Sequence, residues 1–390
     1  MEYVFANKSK LIALYAVAFL LALHLALPLY INSSFLNEFF PEKTLGIIYG
    51  LSSLVTLIAL SEYPRLLRIF GNYKSAFFLF VVEMAALAVL GFLSNPIMVA
   101  FVFIAVQVFI TLGLLNIDVY LEAYSEERTT GTLRGILLTS INIAILLGPF
   151  LASIILTDSQ FERVFVFAAL LLLPALVILS LFLRRFKEPS YDQKHLFLRI
   201  KEVLFARHPD DRIRHVVIAN LLLRFFYSWM VIYTPIYLHQ HIGFSWEQIG
   251  IILTIMLLPF VIFELLLGKL MDIYKNERGV MIIGFSIMMF FTASLYFISI
   301  PSLFWWAFML FCTRIGASFV EIATESYFFK RIKSSDLNVL SIFRDTRPIA
   351  WLLGPIIASL ILIVAPMHYL FPVLGAIMII GIFESVRLVR

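Results

Sequence analysis

The sequence predicts an all-α membrane protein of twelve transmembrane helices arranged as two six-helix halves, and three observations carry that prediction. Of the 390 residues, 62% are hydrophobic and 14% charged, a balance outside the range of water-soluble domains. Apolar runs of about 18 to 25 residues, long enough for a hydrocarbon core about 30 Å thick, recur along nearly the whole chain. The stretch Leu146-Leu147-Gly148-Pro149-Phe150-Leu151-Ala152-Ser153-Ile154-Ile155-Leu156 returns 206 residues later at 352–362, with eight of eleven positions identical.

The runs fall at 11–31, 45–63, 76–94, 97–121, 136–157, 163–183, 215–238, 248–267, 279–299, 302–326, 346–365 and 369–388. The first is too long for the apolar part of a signal peptide, and no small-residue cleavage site follows it, so it reads as a retained span. The halves are 1–183 and 215–390, joined by a linker at 184–214, the one long polar segment. Within that linker Leu196, Phe197, Ile200, Val203 and Leu204 follow helical spacing while Arg199, Lys201 and Glu202 fall on other faces, which predicts an amphipathic helix lying on a membrane surface. With the N-terminus inside, the outer loops hold only Lys43 and Arg163, which predicts a plasma (inner) membrane protein with both termini cytoplasmic. The net charge of +5 then reflects topology and does not mark a nucleic-acid partner. Cys312, the single cysteine, sits inside a span and excludes an intramolecular disulfide or a cysteine metal cluster.

The repeat extends beyond the opening stretch. Pro28-Leu29-Tyr30-Ile31 answers Pro235-Ile236-Tyr237-Leu238 at an offset of 207, and Leu45-Gly46-Ile47-Ile48 answers Ile249-Gly250-Ile251-Ile252 at 204. Asp118, Glu122 and Tyr124 answer Glu321, Glu325 and Tyr327 at 203. Stretches that keep nearly one offset indicate a tandem duplication, and an even number of helices per copy makes the halves parallel, related by an axis along the membrane normal. In the opening stretch and its copy, Ala144, Gly148, Ala152 and Ala350, Gly354, Ala358 form small-residue stripes that let helix backbones touch. Pro149 and Pro355 inside these helices are tolerable because neighbouring helices re-satisfy the freed carbonyls.

With this duplication the chain resembles the major facilitator superfamily along essentially its whole length. Gly268-Lys269-Leu270-Met271-Asp272, after the eighth span, looks like the opening of that superfamily's glycine-x-leucine-x-aspartate loop motif. The first-half copy departs from it, with Pro64, Leu66 and Arg68 at the motif positions and Gly71 kept. The Gly-Pro elements at Gly148-Pro149 and Gly354-Pro355 resemble the superfamily's antiporter motif, with Ala152-Ser153 replacing its paired glycines. The resemblance implies a central cavity lined by spans 1, 4, 7 and 10, with span 3 peripheral. It also implies an inner gate at the loops after spans 2 and 8. There Arg68 facing Asp345 and Asp272 facing Arg134, with Gly268, are the expected latches.

The chemistry of an enzyme is missing from the sequence. No G-x4-G-K-[ST] loop offers ATP as an energy source, no H-E-x-x-H or G-x-S-x-G occurs, and His239 and His241 lack ligands at metal spacing. No cofactor and no metal are expected, and the work of transport must come from a gradient. Arg224 and Arg314 fall near the middle of spans 7 and 10, where a charge costs at least about 2.5 to 3.5 kcal/mol without a partner. His24 and Gln107 lie at comparable depth in spans 1 and 4. At about 100° per residue, Arg314, Glu321 and Glu325 share one helix face, as do Thr111, Asp118 and Glu122. In the functional reading Arg224, Arg314, Gln107, His24 and Tyr227 contact solute, while Asp118, Glu321, Glu122 and Glu325 are the candidates for proton coupling. In the structural reading Arg314 pairs within its own stripe or with Asp118, and the two glutamates mark the membrane boundary. Glu83 and Glu264 read as snorkelling side chains, and Trp305-Trp306 as part of an outer aromatic belt. Asn116, Asn142 and Asn220 read as interhelical glue.

These residues point to a secondary transporter that moves a small organic, anionic or strongly polar solute by alternating access. Proton-coupled export is the first expectation, on the antiporter resemblance. Uptake by symport is its near rival, and a non-transporting scaffold or receptor on the same fold is the alternative from another class. The expected partners are the solute, protons and the lipid bilayer, with the chain acting as a monomer.

Overall fold

A computed structural model describes residues 8–124, 130–156, 160–185, 188, 211–274, 276–331 and 337–388. Among these residues the architecture is all-helical, and twelve helices are long and apolar enough to cross a membrane. In chain order they are α1 (Lys8–Leu29), α2 (Glu42–Phe70), α3 (Asn72–Leu90), α4 (Pro96–Tyr124), α5 (Thr130–Ile155), α6 (Phe161–Phe182), α7 (Asp211–Ile236), α8 (Trp246–Tyr274), α9 (Glu277–Ser294), α10 (Leu303–Arg331), α11 (Leu337–Val364) and α12 (Leu370–Val386). A short helix, Asn32–Asn37, follows α1, and a π-helical turn, Tyr237–His241, prolongs α7. The amphipathic helix expected at 196–204 lies outside the described residues.

Several helices run past the apolar stretch that announces them. α2 continues to Phe70, α8 to Tyr274 and α10 to Arg331, while α11 begins at Leu337. Helical backbone satisfies its own hydrogen bonds, so a charged turn can leave the hydrocarbon without ending the helix. Two expectations change in consequence. Gly268–Asp272 is helical rather than a loop, and Asp345 stands about two turns inside α11 instead of at its start.

The chain divides into two compact units, Met1–Phe40 with Leu51–Lys194 and Pro41–Gly50 with His195–Arg390. In the first unit α1 packs against α5 and α6, and α3 against α4 and α6. Leu14, Val17, Leu21, Phe80, Leu172 and Leu179 form its sealed core. The small-residue stripe of α5 serves close approach, since a Cβ on Gly148 would lie 2.6 Å from both the Cβ and the carbonyl oxygen of Ala26 on α1. Ala144 is fully buried beside it. At the α2–α3 turn Gly71 takes φ +77°, a left-handed conformation that favours glycine, and the Glu188 carboxylate accepts a hydrogen bond from the Asn72 amide (2.9 Å).

In the second unit α10 packs against α8 and α9, α9 against α12, and α7 against α11. On α11 a Cβ at Gly354 would run into the Ser228 hydroxyl of α7. Trp229 Nε1 donates to the Gly354 carbonyl (2.6 Å), and Tyr233 donates to that of Pro355 (3.2 Å). The start of α2 is held in this unit because the Gly46 amide donates to Ser359 Oγ (3.0 Å), with the Pro355 carbonyl where a Cβ would stand. A further backbone crossing joins α9 to α10, where a Cβ on Gly284 would lie 2.8 Å from the Gly316 carbonyl oxygen. Trp306 departs from the belt expectation. It is fully buried and donates to the Ile300 carbonyl (3.2 Å), whereas its neighbour Trp305 is half exposed.

Gly46→Ala and Gly148→Ala each place a methyl group against backbone that cannot yield. Each is expected to lower the melting temperature of the purified protein by the equivalent of about 1–3 kcal/mol. Gly354→Ala should cost less, because the Ser228 hydroxyl can rotate. Unchanged melting of Gly148→Ala would show that α1 and α5 do not meet there.

Candidate functional site

The second unit gathers charge around Tyr227. α7 presents Arg224 and, one turn on, Tyr227; α10 presents Arg314, Glu321 and Glu325 on one face. Arg224 Nη1 lies 2.8 Å from Glu321 Oε1, and Arg224 Nη2 lies 3.9 Å from Glu325 Oε1. The Tyr227 hydroxyl donates to the other Glu321 oxygen, Oε2, at 2.8 Å. Both oxygens of Glu321 thus meet donors, one charged and one neutral. The Arg224 and Glu321 side chains keep 20% and 19% of their surface exposed.

Arg314 sits differently. It is 1% exposed, and its Cζ lies 5.0 Å from the Phe226 ring centroid and 5.4 Å from that of Tyr227. Its Nε and Nη1 have no hydrogen-bond partner among the described residues. Glu321 is seven residues away on the same helix, about 10 Å along the axis, and is engaged by Arg224. The expectation that Arg314 pairs within its own stripe is therefore not met, because Arg224 of α7 has that carboxylate. Tyr227 touches both groups, and the Phe260 ring of α8 packs edge-on against it at 6.0 Å. Arg347 on α11 is exposed and within electrostatic reach of Arg224 and Glu321. Sequence reasoning passed over Arg347 because it stands at the edge of an apolar run, where basic residues are ordinary.

The first unit places its candidates otherwise. His24 and Glu83 are both fully buried, with His24 Nε2 2.7 Å from Glu83 Oε1. His24 Nδ1 faces the Leu21 carbonyl, which can only accept, so Nδ1 carries a hydrogen. A separation of 2.7 Å between Nε2 and Oε1 places a hydrogen bond between the two side chains. Glu83 is thus the partner of His24 and not a snorkelling side chain; a sequence separation of 59 hid the pairing. Gln107 and Asp118 are partly exposed on α4, and the Thr111 hydroxyl is spent on the Gln107 carbonyl (3.0 Å).

Asn116 and Asn220 act between helices. Asn116 exchanges hydrogen bonds with Tyr63 of α2 (2.8 and 3.1 Å), and Asn220 donates to Thr346 of α11 (2.8 Å). His241 meets Glu42 at 2.8 Å, and His239 Nδ1 meets the Phe244 carbonyl at 2.9 Å. Among the latch residues, Arg68 is exposed and Asp345 is buried, at 8%. Glu122, Arg134, Glu264, Gly268 and Asp272 lie in helices, and their side chains fall outside the described residues.

Glu83→Leu strands a buried imidazole and is expected to lower stability by about 3–5 kcal/mol, with much of that recovered when His24→Leu is added. Thermal melting of the two single variants and the double variant checks this. Additive losses would show that the two side chains act independently.

Comparison with known proteins agrees with the fold. The solved structures it matches include a mutant of the nucleoside transporter NupG, with TM-score 0.75 and 15% identity over 97% of this chain and 100% of that one. They also include a bacterial homologue of the human lysosomal transporter Spinster in an inward-facing, unoccupied conformation, with TM-score 0.71 and 11% identity over 98% and 94%. At such identities the likeness establishes fold. No curated protein sequence matches the chain. The sequence matches the Major Facilitator Superfamily over residues 11–331 and again over 216–389. The chain therefore belongs to the Major Facilitator Superfamily, integral membrane transporters rather than enzymes.

Proposed function

We propose that the protein is a proton-coupled secondary transporter that moves a small polar organic solute across the plasma (inner) membrane by alternating access, with Glu321 as the proton-accepting group. The observation that carries this reading is the Glu321 carboxylate, held between Arg224 and the Tyr227 hydroxyl inside a membrane-spanning helix and partly exposed. A carboxylate with a guanidinium on one oxygen and a phenol on the other has no need of a proton. If a solute draws Arg224 away, that oxygen loses its charged donor, and a proton can take the vacated place. Solute and proton then assist each other's binding, and by linkage the assistance is reciprocal.

This coupling favours cotransport, and so uptake down an inward proton gradient, over the exchange suggested by the Gly-Pro resemblance. Exchange requires solute and proton to compete for one group, whereas here the solute's expected partner is Arg224 and the proton's is Glu321. The nucleoside transporter among the structural neighbours supports a small organic solute as the cargo class. The distribution of Lys and Arg supports cytoplasmic termini.

The test uses purified protein in liposomes with an imposed pH gradient. Solute-dependent proton movement is expected in the direction of solute flux. Glu321→Gln should lose pH-driven accumulation while still allowing solute to equilibrate downhill. Full accumulation by that variant would remove Glu321 from the coupling, and opposite movement of solute and proton would restore the export reading.

A further inference from the structure

The buried arginine whose Nε and Nη1 are unfilled among the described residues points to the charge of the cargo. Resting on the reading of this cluster as a solute site, we infer that the transported solute is a small organic monoanion whose oxyanion is taken by Arg314 and Arg224 beside Tyr227. Arg314 is 1% exposed with two unfilled donor nitrogens among the described residues. A guanidinium stays protonated at any physiological pH, so burial cannot neutralise it as it can a lysine. An enclosed cation without a counter-charge is among the costliest features a membrane protein can carry. Its cost is offset when the counter-charge arrives with the ligand.

The surroundings select the kind of ligand. The Phe226 and Tyr227 rings crowd the guanidinium at 5.0 and 5.4 Å, and the N–H groups are what remain to be filled. Oxyanions such as carboxylate and sulfonate suit such donors through charge-assisted hydrogen bonds. A neutral solute would leave the charge of Arg314 unbalanced, and a cation would add to it.

The valence follows from the neighbours. Arg224 is held by Glu321 and reached by Glu325, so the guanidinium donors left unfilled among the described residues belong to Arg314. One such guanidinium matches one negative charge on the ligand, a monoanion rather than a dianion. Exposed Arg347, near Arg224 and Glu321, adds positive field for an approaching anion. Arg314 is enclosed in this conformation, as a ligand seat is in one state of an alternating-access cycle.

The full-length protein in liposomes is offered a panel of monocarboxylates and monosulfonates, dicarboxylates, the neutral nucleoside uridine and the cation tetraethylammonium. Proton movement is expected with members of the monoanion group, and the carboxylate and sulfonate members tell which oxyanion is preferred. Arg314→Gln should raise the apparent KM for the active monoanion about 10- to 100-fold, the loss of a charge-assisted hydrogen bond. The variant should also abolish the rise in melting temperature that this monoanion gives. Its ligand-free melting temperature should not fall, since it removes a charge that has no partner. Transport of uridine or tetraethylammonium in place of the monoanions would overturn the monoanion assignment and leave the transport reading standing. Silence toward the whole panel would count against both. An Arg314→Gln protein that melts lower without ligand yet keeps its affinity for the monoanion would make Arg314 structural and overturn the seat. The panel on the unaltered protein decides the charge of the cargo even where the variant does not fold.

Discussion

A charge held inside a membrane protein must be neutralised by the protein or by what it carries, and the contact between Arg224 and Glu321 at 2.8 Å is where this chain meets that constraint. Because Arg224 takes Glu321, Arg314 is left without it, although Arg314 and Glu321 share a helix. Because Tyr227 donates to Glu321 while its ring lies against Arg314, the carboxylate and the second arginine are joined through one side chain. The pairing thus divides the cluster into an ion pair and a buried guanidinium whose Nε and Nη1 have no hydrogen-bond partner among the described residues.

The two units satisfy the constraint in different ways. At the repeat offsets of 207 and 203, Arg224 and Arg314 answer Val17 and Thr111. Val17 is core, and the Thr111 hydroxyl is satisfied within its own helix. The first unit instead carries His24 and Glu83, both fully buried and paired with each other at 2.7 Å.

Close helix packing gives these groups a fixed geometry. Hydrophobic burial cannot drive helices together in lipid, so contact relies on small residues and on hydrogen bonds across helices. Gly148 against Ala26 and Gly284 against Gly316 supply the first, and Trp229 on the Gly354 carbonyl and Asn220 on Thr346 supply the second. Arg224 and Tyr227 share α7 with Asn220, Ser228, Trp229 and Tyr233, all of which face α11. The helix that carries half of the site is thereby fixed in rotation by the same Gly-Pro element that reveals the repeat.

Fold class, span number and duplication were legible in the sequence because each rests on local composition or on a repeated string. A run of about 20 apolar residues has few alternatives in structure, and a repeat offset survives without knowledge of contacts. The charged residues of the site were legible one at a time, since a mid-span arginine is conspicuous wherever it points. Their pairing was not. Glu83 answers His24 across 59 residues, and Arg224 reaches Glu321 across 97 positions of chain. Trp306 is buried beside an exposed Trp305, and no sequence window separates the two. Partner choice depends on helix rotation and helix neighbours, which side-chain packing across the whole unit decides. The chain by itself therefore determined which helices exist and which charges they bear, and the tertiary structure decided which of those charges pair.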